Sequence, residues 1–135
     1  MSISAQEHAL VEGIRSEIPD VLAIYLFGSA AAGELRRDSD IDLAVLLPAA
    51  LPVERLWSLA QLLAVSAGRD VDLIDLQSTS TVMQAQIVST GKRLYCANEL
   101  LCAEFEDRVY SDYARLNEER RYILGDIRER GRIYG

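Results

Sequence analysis

The sequence predicts a single α/β domain with a small sheet, flanking helices and a C-terminal helical extension. Its 135 residues are the length of one ordinary domain. Short apolar runs, each long enough for a buried strand, alternate with segments in which apolar residues recur at helical spacing. Half of the residues are hydrophobic and 26% are charged, a balance typical of a folded soluble protein. Together these observations give the element order αβ(loop)βαβαβα.

Start and stop residues delimit the first elements. Residues 4–7 have the pattern of a capping box, and Pro19 ends the helix that they open. Residues 21–27 and 41–47 are apolar runs that predict two strands, the first broken by a Gly-Ser pair and the second stopped by a proline. The two runs therefore predict neighbouring strands joined by a loop.

The next segment predicts a helix and then a strand. Pro52 fits the first turn of a helix whose apolar residues, Trp57 among them, are expected to face the core, and Gly68 suits its C-terminal cap. Residues 71–76 predict the third strand.

The same alternation continues toward the C-terminus. Either Ser78 or Thr79 is expected to cap a helix that ends at Gly91, and residues 93–96 predict a short fourth strand. The sheet is then complete by about Cys96.

From Asn98 to about Arg130 the pattern is that of one long helix, or of two helices joined near Asn117. Tyr110, Tyr113 and Tyr122 are candidate anchors for a partner, although Tyr113 shares the apolar stripe and packing within the protein is the alternative for it. An apolar stripe at helical spacing follows the segment: Phe105, Val109, Tyr113, Leu116, Ile123 and Ile127. This is more apolar surface than so small a sheet needs, so we expect the part before about Leu116 to pack on the domain and the rest to contact a partner.

The formal net charge of −7 indicates which ligands to expect. Proteins that grip nucleic acid normally present a basic face, so we expect no direct nucleic-acid binding here. A basic partner, or a cation held by carboxylates, agrees better with this excess of acidic residues. No apolar run reaches the ~18 residues of a membrane span, and no basic-then-apolar segment opens the chain.

The cysteine content indicates the compartment. The chain has only two cysteines, Cys96 and Cys102, which are too few for a disulfide framework. We therefore expect reduced thiols and a cytoplasmic protein, with no membrane attachment.

Two carboxylates stand at the start of the second predicted strand. Asp40 and Asp42 are two residues apart, so their side chains are expected on one face of the strand. Like charges held this close repel each other unless a cation neutralises them or one is protonated. Solvated turn residues are the alternative explanation. The Gly28-Ser29 pair, at the end of the preceding strand, has a backbone and a hydroxyl suited to cradle a triphosphate.

A third carboxylate is available on the third predicted strand, provided that this strand lies beside the second. Asp72 and Asp75 are three residues apart and face opposite ways, so only one of them can join the pair. Asp72 is favoured because it keeps its apolar neighbours off the site. Carboxylates on adjacent strands suit Mg²⁺, and two such ions ~3.5–4 Å apart can hold an attacking and a leaving oxygen in line.

These residues give the chain its resemblance to the nucleotidyltransferase superfamily related to DNA polymerase β. The segments that carry it are Phe27-Gly28-Ser29, then Asp40-Ile41-Asp42 ten residues later, and finally Val71-Asp72-Leu73-Ile74. Residues 33–43 (GELRRDSDIDL) are similar to the same segment of minimal nucleotidyltransferases. Residues 71–82, residues 91–95 and the C-terminal segment extend the similarity to MntA-type antitoxins, which are paired with HEPN-domain toxins.

The resemblance implies a polymerase β-like fold with a small mixed sheet. Residues 1–97 would form the nucleotidyltransferase domain, and residues 98–135 a helical extension of the same domain. Asp40 and Asp42 would bind the metal ions, and Asp72 would complete the metal site and accept a proton from the nucleophile.

The resemblance also implies how the nucleotide is held. Gly28 and Ser29 would hold its phosphates. Many relatives have an arginine directly after this pair, where this chain has Ala30. Arg36 or Arg37 would then supply the missing positive charge, unless both arginines are ordinary loop charges. Together with Ser39, the two arginines complete the expected nucleotide-binding set.

The implied activity is transfer of AMP from ATP to a tyrosine of the cognate HEPN toxin, with two Mg²⁺ ions, which silences the toxin. One alternative is a nucleotidyltransferase that modifies a small molecule or an RNA end, although the acidic balance weighs against RNA. The other alternative is a non-catalytic antitoxin that acts by binding alone, against which the three aspartates argue.

Overall fold

The computed structural model describes residues 3–28 and 40–134, with side chains through residue 126. Its elements follow the predicted order: α1 (Ala5–Glu17), β1 (Ala23–Phe27), β2 (Ile41–Leu46), α2 (Val53–Ala67), β3 (Val71–Asp75), α3 (Thr81–Thr90), β4 (Lys92–Cys96) and α4 (Glu99–Tyr134). A short 3₁₀ turn, Leu76–Ser78, joins β3 to α3. No helix of the described part is both long and apolar enough to cross a bilayer.

The four strands form one mixed sheet in the order β3-β2-β1-β4. β1 pairs antiparallel with both β2 and β4, whereas β2 and β3 are parallel. The starts of β2 and β3 therefore lie at the same end of the sheet as the end of β1. The predicted mixed sheet with flanking helices is confirmed, and this end of it carries the residues singled out above.

The alternating direction of side chains along the strands divides the core into two layers. Leu43 and Val45 of β2 pack with residues of α1 and α2, while Ala44 and Leu46 pack with α3 and the start of α4. Because successive side chains of a strand point to opposite faces, each face of the sheet is apolar and each needs its own helical cover.

The helix ends confirm some of the expected caps and correct one. Ser4 forms the capping box with Glu7, and Gly68 ends α2 in the left-handed conformation. The cap of α3 is Ser80, whose Oγ accepts from the Met83 N–H at 3.2 Å, and neither Ser78 nor Thr79. The 3₁₀ turn after β3 uses the residues around Ser78 and so delays the start of α3.

α4 is one continuous helix and shows no break near Asn117. Asn98 caps it, since its Oδ1 accepts from the N–H groups of Leu100 and Leu101. Phe105 and Val109 are buried. Tyr113 and Leu116 are half-buried, whereas Ile123 is 56% exposed; the side chain of Ile127 lies outside the described residues.

Two further sequence predictions were wrong. Trp57 is 65% exposed instead of buried, because the sheet covers only the arc of α2 that carries its neighbours Leu56, Ala60 and Leu63. Cys96 and Cys102 are joined as a disulfide and are not free thiols. The turn between β4 and α4 brings their Cα atoms to 6.7 Å, within the distance that a disulfide spans.

Candidate active site

The three predicted carboxylate positions converge at one end of the sheet. Asp42, near the start of the inner strand β2, pairs in register with Phe27 on one side and with Asp72 on the other. Residues in register on neighbouring strands point to the same face, so the carboxyl groups of Asp42 and Asp72 lie side by side. Asp40 precedes β2 directly and is exposed.

The electrostatics of Asp42 reflect this crowding. Burial raises the pKa of the Asp42 carboxyl, and the negative charges of Asp72 and then Asp40 raise it further. The ionised form of Asp42 is therefore disfavoured in this position unless positive charge is brought in. The negative charges of Asp72 and Asp40 therefore act on Asp42.

Gly28 lies against this cluster. It follows β1 with φ of 72°, in the left-handed region that favours glycine. A Cβ added to Gly28 would overlap Oδ2 of Asp42. The Asp42 carboxylate thus occupies the space that a side chain at residue 28 would need, and a side chain there would displace it. The sequence analysis assigned Gly28 to phosphate binding but missed its proximity to Asp42. The only sequence signal for it was the Gly-Ser pair that ends an apolar run.

The register decides between the two candidates for the third carboxylate. Asp72 lies beside Asp42, whereas Asp75 is in register with Val45 on the opposite face and is only 9% exposed. The Asp75 carboxylate accepts from the Gln77 N–H at 3.0 Å and from the Ser78 hydroxyl at 3.1 Å. Asp75 therefore caps the turn after β3, and the structure brings Asp72 alone to the pair.

The remaining predicted nucleotide contacts fall outside the described residues. They are Ser29, Arg36, Arg37 and Ser39. The described part of the predicted site consequently consists of Gly28 and three aspartates.

The donor set fits a magnesium ion that is completed by its substrate. Within residues 3–28 and 40–126, no three acidic, histidine or cysteine side chains stand close enough to form a metal cage by themselves. Mg²⁺ usually binds through one or two carboxylates together with waters and substrate phosphates, so it does not require such a cage. Asp42 and Asp72, with Asp40 next to them, supply that number of carboxylates and the negative charge that a cation would relieve.

Comparisons with known proteins agree with this geometry. The family model for polymerase beta nucleotidyltransferases matches residues 10–100. The protein adenylyltransferase MntA of Shewanella oneidensis is 41% identical over 124 residues, which are 90% of this chain and 86% of that protein. The match covers most of both chains and extends beyond the sheet into α4.

Solved structures are similar over the same range. A crystal structure of a toxin–antitoxin with AMP-PNP contains a chain 40% identical to this one, with a TM-score of 0.81 over 90% of this chain and 97% of that one. A structure of the tri-AMPylated Shewanella oneidensis HEPN toxin in complex with the MNT antitoxin gives 38% identity and a TM-score of 0.75, over 90% and 95%. Fold, site geometry and sequence thus agree with the resemblance noted above, and the chain belongs to the polymerase β nucleotidyltransferase family.

Proposed function

We propose that this protein is an antitoxin that transfers AMP from ATP to a tyrosine hydroxyl of a cognate HEPN-domain toxin. The observation that carries the proposal is the pairing of Asp42 with Asp72 beside Gly28, at one end of a nucleotidyltransferase sheet. The relative named protein adenylyltransferase supports AMP as the transferred group. The relatives solved with AMP-PNP, an ATP analogue, and with an AMPylated HEPN toxin support ATP as donor and the toxin as acceptor.

We assign the nucleotide phosphates and the metal to this same cluster, since Mg²⁺ usually binds carboxylates and substrate phosphates together. Gly28 and Ser29 would hold the phosphates, and Arg36 or Arg37, together with Ser39, would complete the nucleotide-binding set. Asp40, Asp42 and Asp72 would hold Mg²⁺, as two ions. When bound, Mg²⁺ supplies positive charge that stabilises the phosphates and their developing negative charge.

The transfer step is a displacement at the α-phosphorus of ATP. The tyrosine oxygen forms a bond to the α-phosphorus of ATP, and the bond from that phosphorus to the bridging oxygen breaks, so that pyrophosphate leaves. The tyrosine proton passes to the Asp72 carboxylate, which is the more exposed member of the registered pair. Catalysis then comes from positioning and charge neutralisation, as is usual for transfer to phosphorus.

Toxin binding is assigned to surfaces beyond this cluster. Phe105 and Val109 complete the core layer on one face of the sheet, and we therefore treat residues 98–135 as an extension of the domain in residues 1–97. Tyr122, Ile123 and Leu124 farther along α4 are exposed and available to a partner protein. Exposed aromatic and apolar anchors of this kind contribute most of the binding energy in protein interfaces.

The proposal is tested with the purified pair of proteins. The toxin is incubated with this protein and ATP labelled at the α-phosphate, with ATP labelled at the γ-phosphate as control, and with or without Mg²⁺. We expect label on the toxin from the α-phosphate only, an increase of 329 Da per AMP added, and no transfer in EDTA. Toxin neutralisation without any label would instead indicate an antitoxin that acts by binding alone.

A further inference from the structure

We propose that a groove along the open edge of β3 binds the tyrosine-bearing segment of the protein acceptor as an additional strand, with Trp57 as its main side-chain contact. This inference rests on the proposed function, because it assumes that the acceptor hydroxyl belongs to a protein. Beyond the proposed function, it identifies the surface that selects the acceptor and predicts which residue types flank the acceptor tyrosine.

The groove lies between α2 and β3 and has a volume of about 560 Å³. Its α2 wall includes Val53 and Trp57, which are 76% and 65% exposed. Its other wall is β3 itself, from Val71 to Asp75. An indole ring with most of its surface in water, at the rim of an apolar groove, is an available anchor for a partner side chain.

The backbone of this wall lies at an edge of the sheet formed by the described strands. β3 is the last strand on one side of the sheet that the described strands form, and it pairs only with β2 there. An edge strand presents unpaired N–H and C=O groups, and extended peptides bind such edges by adding a strand. The five residues of β3 span about 16 Å, which is room for four or five residues of an extended acceptor segment.

The groove is continuous with the reacting groups. Asp72 lines it and is also the carboxylate beside Asp42. In the strand order β3-β2-β1, Gly28 lies on the β1 side of Asp42 and Asp72 on the β3 side. If the phosphates lie toward Gly28, the acceptor hydroxyl approaches from the β3 side, and a segment held along β3 delivers it there.

The two faces of the sheet set the pattern of the acceptor. Asp72 points to the face that α3 and α4 cover, whereas Val71 and Leu73 point to the face that α2 covers. Because side chains alternate along a strand, a tyrosine directed at Asp72 places its immediate sequence neighbours on the α2 face, against Trp57. The charged residues among the groove's lining residues are both acidic, Asp72 and Asp75. The flanking residues of the acceptor should therefore be apolar or basic, not acidic.

Kinetics with the intact toxin separate this role from catalysis. Trp57→Ala is compared with Val65→Ala, a control on the same helix whose side chain is 85% exposed and lies outside the groove. We expect Trp57→Ala to raise the KM for the toxin about tenfold or more, since aromatic anchors of interfaces have effects of this size, and to leave kcat and the KM for ATP unchanged. Val65→Ala should match the wild type. Equal toxin KM values for the two variants would overturn the inference, while the wild type's own AMP transfer reports separately on the proposed function.

A binding experiment makes the test independent of turnover. Trp57 is the only tryptophan of the chain, so its fluorescence reports directly on the groove. A short tryptophan-free peptide that carries the toxin's acceptor tyrosine should change the emission in a saturable way. The same peptide with N-methyl groups on the residues flanking the tyrosine should bind more weakly, because it cannot complete the strand pairing. An emission change that depends on the concentration of this protein alone would indicate a second copy in the groove and would overturn the inference, as would an emission unaffected by the peptide.

Discussion

Replacing Gly28 by alanine tests the close approach of the β1 end to Asp42. Two costs follow from the structure. An L-residue at φ of 72° is strained by about 1–2 kcal/mol, and moving the overlapped Asp42 carboxylate off its rotamer costs about 1 kcal/mol more. The free energy of unfolding should therefore fall by about 2–3 kcal/mol, which lowers Tm by roughly 8–12 °C in a chain of this size. A carboxylate displaced by about 1 Å should lower AMP transfer about 100-fold.

Gly68→Ala is the matched control for this prediction. Gly68 has nearly the same φ, 69°, but no atom lies within 4 Å of the position of an added Cβ. Its substitution should therefore cost only the backbone strain of about 1–2 kcal/mol and leave transfer unchanged. Thermal melts and transfer of labelled AMP are measured on both variants. The reasoning would be refuted if the two variants lost equal stability and Gly28→Ala transferred AMP as fast as Gly68→Ala.

Three further predictions concern the carboxylates and α4. Asp42→Asn should abolish transfer yet raise Tm at pH 7 in the absence of metal. Because folding raises the pKa of Asp42, the wild type gains stability as the pH falls through that pKa. The stability advantage of the variant in parallel melts should therefore shrink toward pH 4. Asp72→Asn should lower the transfer rate by several orders of magnitude with little change in Tm. Asp75→Asn weakens the cap on the turn after β3, so it should lower the free energy of unfolding in a urea melt by about 1 kcal/mol and leave most of the activity. The reverse result would contradict the register. Truncation after Asn117 should leave ATP binding intact in a titration but weaken toxin capture in a pull-down, and unchanged capture would show that the exposed end of α4 is not an interface.

Local sequence patterns predicted most of the elements correctly because their causes are local. The capping box at Ser4 and the left-handed turn at Gly68 depend on a few adjacent residues, and both are present as expected. Asp40 and Asp42 likewise stand at the start of β2 as expected, Asp40 directly before the strand and Asp42 within it. Their common face stays a prediction. The element order follows from such signals taken one after another.

Two predictions that depended on how the elements pack against one another were wrong. Helical spacing placed Trp57 among the apolar residues of α2 but could not tell how wide an arc the sheet covers, and the ring lies outside that arc. Similarly, nothing in the spacing of Cys96 and Cys102 showed that β4 and the first turn of α4 would bring them together. The start of α3 was also misplaced, here for a local reason. The turn that Asp75 caps uses residues 76–78, so the helix begins only after its cap at Ser80.

By itself, the sequence determined the α/β class, the succession of helices and strands, and the identity of a Gly-Ser and aspartate motif at strand ends. Periodicity and capping are encoded within a few residues, and a motif can be read without knowing its neighbours in space. Only the tertiary structure decided that β2 and β3 run parallel in a register that sets Asp72 beside Asp42 and turns Asp75 away. Register is decided by the packing of both faces of the sheet at once, so no single segment of the chain contains it.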